Sequence, residues 1–269
     1  MQTIGLIGAG RMGMPIIGHL SRAGFRVLVS ERNPERQPDV AARGGELVES
    51  PVLAAESEAI LVCVGYDKEV RELLQTPGGL LESARSGAII AVLSTIHPKT
   101  MQELAQYAAP YGVHVVDSTV CRGGRAADEG TLLSFVGGAA DVVDRLTPVL
   151  RAYSSDVVHS GGVGTAQVSK AANNLILWAC LVASHEGLAL AQRYEVNVDA
   201  LRAALMTSSA ANGALGNWGQ QSMAWAQDDM AIVADMAEDC GISLPQSGVV
   251  REVCRTLKPR RYQLDKYGV

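Results

Sequence analysis

The chain has 269 residues, 48% of them hydrophobic and 19% charged, enough apolar material for one large folded domain or two modest ones. Its 23 basic and 28 acidic residues leave a net charge of −5, which excludes the basic footprint of a nucleic-acid binder. Five scattered cysteines, Cys63, Cys121, Cys180, Cys240 and Cys254, never form a C-x-x-C pair, and five histidines stand apart from ligand spacing; neither a disulfide framework nor a metal site is expected, and the reducing cytoplasm is the expected compartment.

The apolar N-terminus carries Gly8, Gly10 and Gly13 where a signal peptide would have its cleavage site, so it reads as a folded strand and turn. Strands are expected over Thr3–Ile7, Arg26–Ser30, Ala59–Val64, Ala88–Leu93, Val113–Asp117 and Leu132–Val136. Several are apolar on consecutive residues, as strands of a sheet covered on both faces are. Helical patterns such as Pro15–Ala23 and Pro98–Ala109 lie between them, and this alternation predicts an α/β fold with a doubly wound, parallel, Rossmann-type sheet over residues 1–162. After the glycine-rich segment Ser160–Gly164 the character changes. Thr165–Tyr194 runs without proline, and Val168, Ala172, Leu175, Ala179, Val182 and Ala183 recur at the three- and four-residue steps of a buried helix. A smaller all-α domain is expected over residues 163–269, with a loose tail from Lys258. The longest unbroken apolar stretch, Leu175–Ala183, is too short to span a membrane, so no membrane partner is expected.

Gly8-Ala9-Gly10-Arg11-Met12-Gly13 is G-x-G-x-x-G, following an apolar strand and opening a helix. In that context the first glycine permits the tight turn, the second lets a pyrophosphate approach the backbone, and the third lets helix and strand pack closely. The helix N-terminus then offers free N–H groups to the phosphates. Glu31, 18 residues after Gly13, stands where an acid holds the ribose hydroxyls, which favours NAD; Arg32 beside it could pair with the extra phosphate of NADP, which keeps NADP possible.

With these motifs in place, the sequence resembles the β-hydroxyacid dehydrogenases, the family of 3-hydroxyisobutyrate dehydrogenase. The opening Gly5–Pro15 looks like the family's cofactor signature, and Ser94-Thr95 like its nicotinamide-side turn. Asp117-Ser118-Thr119-Val120-Cys121-Arg122-Gly123, followed by Gly130-Thr131-Leu132, looks like its substrate-binding segment, and Gly161–Asn174 like its catalytic segment. The resemblance implies cofactor contacts from Gly8–Gly13, Glu31, Arg32, Val64 and Thr95. It implies substrate contacts from Cys121, Arg122 and Gly123, catalytic roles for Lys170 and Asn174, a small anionic substrate and a homodimer. Lys170 sits near the start of a long apolar helix, where a charge needs a reason, and Asn174 follows one turn later on the same face. A lysine so placed can take the hydroxyl proton in oxidation and return it in reduction.

The chain departs from the family pattern in two places. Where the family has serine and two glycines, this chain has Cys121, Arg122 and Gly123: a poorer donor, then a permanent cation able to grip a carboxylate or sulfonate. Where the family has Lys-Asp in the helical domain, this chain has Asp228-Asp229, so no cofactor role carries over to Asp228. Trp218 and Trp225 are candidates for a pocket wall, though buried core is the commoner role, and His185-Glu186 reads as a polar pair on the long helix. The expected activity is hydride transfer between a nicotinamide and a small β-hydroxy acid or its semialdehyde. An imine reductase-like enzyme and a non-catalytic dinucleotide-binding regulatory protein are the alternatives.

Overall fold

The computed structural model describes Met1–Gly268. The chain divides into two compact units, Met1–Lys170 and the remainder from Ala171 onward. The first unit holds eight strands: β1 (Thr3–Ile7), β2 (Arg26–Ser30), β3 (Gly45–Leu47), β4 (Ala59–Val62), β5 (Ile89–Val92), β6 (His114–Cys121), β7 (Leu132–Gly137) and β8 (Ser154–Gly161). They form one sheet in the order β3-β2-β1-β4-β5-β6-β7-β8. β1 to β6 are mutually parallel.

Alternation within the apolar strands supplies two cores. Ile4, Leu6, Val27, Val29 and Leu61 face one side, with Ile16, Ile17 and Leu20 of the helix Gly13–Arg22. Ile7, Leu28, Ile60, Val62, Ile90 and Val92 face the other. Every residue of β4 and β5 is buried, which is why these strands read as unbroken apolar runs.

Two strands escape the hydrophobic pattern. β3 has three residues, with Glu46 and Leu47 exposed, and the mostly polar β8 is largely exposed; both lie at sheet edges, where one-sided burial erases the signal. β6 also runs four residues beyond the expected Asp117. Its extension Ser118–Cys121 pairs antiparallel with β7, a departure from an all-parallel sheet. The connection between them holds only the short helix Gly123–Glu129, less than the dozen or so residues a parallel crossover needs. The helix Ala140–Leu150 provides a full crossover, and β8 returns parallel to β7.

The long helix Thr165–Arg193 begins in the first unit and continues into the second. Among the described residues it is long and apolar enough to cross a membrane by length and composition, which the nine residues Leu175–Ala183 did not suggest. Its Trp178, Leu181 and Val182 enter the core of the second unit with Met223, Met230, Val233, Val250 and Cys254, the behaviour of a core helix. Helices Val198–Leu205, Gly213–Gly216, Ala226–Cys240 and Pro245–Leu257 complete this unit. The tail expected to be loose is docked. The Tyr262 N–H donates to His185 Nε2 (2.9 Å), Tyr267 Oη donates to Glu186 (3.0 Å), and the imidazole packs against Trp218 with ring centres 4.5 Å apart. Val269 lies outside the described residues.

Candidate functional site

The glycine turn follows β1, where the strand order reverses between β2 and β4; ligands of doubly wound sheets bind at such a switch point. Gly8 has φ +94°, and a Cβ there would lie 2.2 Å from the Cys63 carbonyl oxygen; a Cβ on Gly13 would lie 2.1 Å from the carbonyl oxygen of Gly8. The fold itself therefore demands these two glycines. Gly10 differs, because a Cβ there would meet nothing closer than an Arg36 guanidinium nitrogen at 3.9 Å. The space above Gly10 is open, as a cradle for a pyrophosphate must be. Arg11 and Met12 complete the turn. The following helix has no side-chain N-cap and no acidic residue in its first turn, so no carboxylate of its own opposes an anion at this N-terminus.

Glu31, at the end of β2, has a side chain only 6% exposed. Its carboxylate accepts from the Ala9 N–H (2.6 Å) and the Asn33 N–H (2.7 Å), fixing a negative charge against the glycine turn. A shallow, open groove lies beside it, lined by residues that include Ser30, Glu31, Arg32, Gln37 and Glu49. Arg32 is directed to Glu69 (2.8 Å) with its side chain 83% exposed. Arg36, which the sequence did not single out, lies 3.8 Å from Glu31 with its guanidinium close to Gly10. Further along the carboxyl edge, the Ser94 hydroxyl donates to the Val64 carbonyl (2.9 Å) and accepts from the Val64 N–H (3.0 Å). This ties the turns after β4 and β5 together, with Thr95 next in line.

The end of β6 carries the other candidate residues. Lys170 Nζ donates to the Val120 carbonyl oxygen at 2.7 Å and lies 3.9 Å from Cys121 Sγ. The structure thus brings Lys170 and Cys121 together. Arg122 has φ +81°, unusual for a residue with a side chain, and Gly123 follows at φ +74°. This left-handed conformation is one that glycine adopts without steric cost. The Arg122 guanidinium is held within the protein: Nη1 donates to Asp156 (2.7 Å), Ser155 Oγ (2.8 Å) and the Thr131 carbonyl (3.1 Å). Ser155 and Arg122 together hold the Asp156 carboxyl below its usual range.

The start of the long helix is fixed by side chains to which no local sequence pattern gives a role. Asp117 accepts from the N–H groups of Gly164 (2.7 Å) and Gln167 (3.0 Å). Burial pushes its carboxyl up, against the opposing pull of those amides. Asn174, one turn beyond Lys170 on the same helix, is buried and accepts from Asn173 Nδ2 at 3.1 Å. In the second unit Asp228 is exposed, whereas Asp229 is buried and accepts from Trp178 Nε1 at 3.0 Å. That bond gives Asp229 a packing role between two helices. Trp218, partly buried, packs tilted against His185 and edge-on against Tyr262, and Trp225 is half exposed.

The family model for the NAD-binding domain of 6-phosphogluconate dehydrogenase matches residues 3–162. A second, for the NAD-binding domain of NADP-dependent 3-hydroxyisobutyrate dehydrogenase, matches residues 164–266. The chain belongs to the β-hydroxyacid dehydrogenase family. It is 31% identical over 216 residues to a 3-hydroxyisobutyrate dehydrogenase of Pseudomonas aeruginosa, covering 80% of this chain and 72% of that one. It is 29% identical over 265 residues to the 3-sulfolactaldehyde reductase of Escherichia coli, covering 94% and 89%. The fold matches that of a Mycobacterium tuberculosis 3-hydroxyisobutyrate dehydrogenase solved with L-serine, with a TM-score of 0.87 at 23% identity over 96% of this chain and 94% of that one. The chain is thus an NAD(P)-dependent oxidoreductase acting on CH–OH groups.

Proposed function

We propose that this enzyme interconverts a small β-hydroxy acid and its semialdehyde, the acid group being a carboxylate or a sulfonate, with Lys170 holding the transferred proton. The observation that carries this reading is the placement of Lys170 Nζ on the Val120 carbonyl beside Cys121. An ammonium has three donors; Val120 takes one and leaves others for a substrate oxygen. The bound nicotinamide supplies the two-electron chemistry by accepting or giving a hydride. Lys170, as the neutral amine, takes the hydroxyl proton in oxidation; as the ammonium it protonates the carbonyl oxygen in reduction. Asn174, one turn away, orients that oxygen. Cys121, Arg122 and Gly123 form the acid-binding segment, where Arg122 adds positive charge near the substrate's anion.

The turn Gly8–Gly13, with Glu31, Arg32, Val64 and Thr95, is our assignment for the dinucleotide. Glu31 favours NAD, since a 2′-phosphate would face a buried carboxylate. Ile176 and Leu190 are 64% and 61% exposed on the long helix, which supports a homodimer in which a second copy covers them; the cytoplasm is the proposed compartment. Lys170→Ala tests the chemistry. Turnover on a panel of β-hydroxy acids and semialdehydes, followed by nicotinamide absorbance, falls about 10²–10⁴-fold, while NADH affinity stays within about twofold because the phosphate turn is untouched. Wild-type turnover in this variant, or activity confined to cyclic imines, would refute the reading.

A further inference from the structure

We propose that Asp117 and Gln167 are positioning residues for the reaction, a buried two-point clamp that sets the axial register of the long helix and through it the place of the Lys170 amine. The inference rests on the reading of Lys170 as the proton carrier. Gln167 stands three residues before Lys170, one turn earlier on the same helix, and is 1% exposed. Its side chain makes both bonds an amide can make to an extended backbone: Oε1 accepts from the Ile96 N–H at 3.0 Å, and Nε2 donates to the Ser94 carbonyl at 2.8 Å. Its own backbone N–H donates to Asp117 Oδ2 at 3.0 Å, and the Gly164 N–H donates to Asp117 Oδ1 at 2.7 Å. Thr119 Oγ1 adds a bond to the Ala166 carbonyl at 3.0 Å.

One turn of helix is therefore fastened on one side to β6 and on the other to the turn after β5. That turn is itself tied to the end of β4 through Ser94. Asp117 has little room to move, because a Cβ on Gly137 would lie 2.5 Å from its Oδ1. The clamp matters for chemistry because of helix geometry. A slip of one residue advances a helix about 1.5 Å and turns it about 100°, enough to take Nζ off the Val120 carbonyl. A misplacement of about 1 Å at a reacting group costs about 10²-fold in rate. Apolar packing at this depth would leave the Ile96 N–H and the Ser94 carbonyl without this partner and would set no register. A Gln with both amide atoms committed to the Ser94–Ile96 backbone instead fixes relative position, because a hydrogen bond is directional and burial is not.

The test is a double-mutant cycle in the whole enzyme, with kcat, substrate KM and NADH affinity measured for Gln167→Leu, Lys170→Ala and the double variant. We expect Gln167→Leu to lower kcat about 10–100-fold, with KM and NADH affinity within about twofold. In the Lys170→Ala background the same substitution should leave the residual turnover unchanged, because its effect passes through the lysine. Asp117→Asn, which keeps the shape and one acceptor, should give a smaller kcat loss that also vanishes without Lys170, and it carries the cycle if Gln167→Leu does not fold. Equal fold losses with and without Lys170, or wild-type kcat in both single clamp variants, would overturn the proposal. Wild-type kcat in Lys170→Ala alone would instead overturn the proposed function.

Discussion

Replacing Gly10 by alanine separates what the fold needs from what the ligand needs. In the free protein the new methyl group meets nothing within 3.9 Å, and Gly10, unlike Gly8, has no positive φ. Stability should therefore stay within about 0.5 kcal/mol, or rise slightly as the unfolded chain loses freedom. The dinucleotide should be less tolerant. A methyl group on the open face holds the pyrophosphate off the turn and breaks one charge-assisted hydrogen bond of about 1.5–3 kcal/mol, so NADH should bind about 10–150-fold more weakly. Gly8→Ala and Gly13→Ala make the contrast. Their methyl groups would lie 2.2 and 2.1 Å from carbonyl oxygens. Overpacking costs about 1–3 kcal/mol, with about 1–2 kcal/mol more at Gly8 for the left-handed backbone. At about 2–4 °C per kcal/mol for a unit of this size, Tm should drop by roughly 2–12 °C for Gly13→Ala and roughly 4–20 °C for Gly8→Ala. Thermal unfolding and NADH fluorescence titration on the three variants give both numbers. A Gly10→Ala protein that binds NADH like the wild type would show that the phosphates do not lie on this turn.

Glu31→Gln removes the charge and keeps an acceptor for only one of the Ala9 and Asn33 amides, which bind different carboxylate oxygens; the ratio of NADPH to NADH affinity should rise about tenfold or more, and an unchanged ratio would mean that Glu31 does not face the 2′ position. Arg122→Gly removes a left-handed side chain costing about 1–2 kcal/mol and an exposed ion pair worth about 0–1 kcal/mol; Tm should hold or rise while substrate KM increases more than kcat falls, and an unchanged KM would remove Arg122 from the substrate site. His185 donates from Nδ1 to the Leu181 carbonyl and accepts at Nε2 from the Tyr262 N–H, so only the neutral ring satisfies both. Burial lowers its pKa below the ordinary 6.5. The unfolded chain therefore takes up a proton first, and stability is lost as pH falls from about 6.5 toward the folded value. Tm measured from pH 7.5 to 5 should decline more steeply in the wild type than in His185→Gln, and parallel curves would refute the assignment.

The parts of the fold legible in the sequence were those whose residues are buried on both faces. β1 and β2 begin and end where the apolar runs do, and β4 and β5 are wholly buried, so composition alone marks them. The long helix starts at Thr165 as expected, because its periodic apolar residues feed a core. β3 and β8 sit at edges and carry exposed polar residues, so no local signal separates them from loops. The antiparallel return of β7 was equally hidden. It follows from the shortness of the Gly123–Glu129 connection, and a seven-residue helix between two strands does not announce its direction.

The site divides along a different line. The proposed roles of Gly10 and Lys170 were suggested by local sequence: nothing near Gly10 demands a glycine, and a lysine is out of place on an apolar helix, although here its amine is bonded to the Val120 carbonyl. Such residues stand out in a sequence by conflicting with their surroundings. Asp117 and Gln167 conflict with nothing visible along the chain, since a polar residue near a glycine-rich turn looks like ordinary loop chemistry. Their meaning lies in pairings across 47 to 73 positions, from Asp117 to Gly164 and from Ser94 to Gln167. These are set by the sheet order and by no local pattern. Arg122 shows the converse. Sequence could mark it as a cation in a glycine's place, but only the backbone reveals that it keeps the glycine's conformation and spends its charge on Asp156. A substrate anion must therefore compete with a carboxylate already in place. That makes Arg122 a weaker anchor than an unpaired arginine, so on the function proposed above Lys170 and the register of its helix are the features whose loss should cost turnover most.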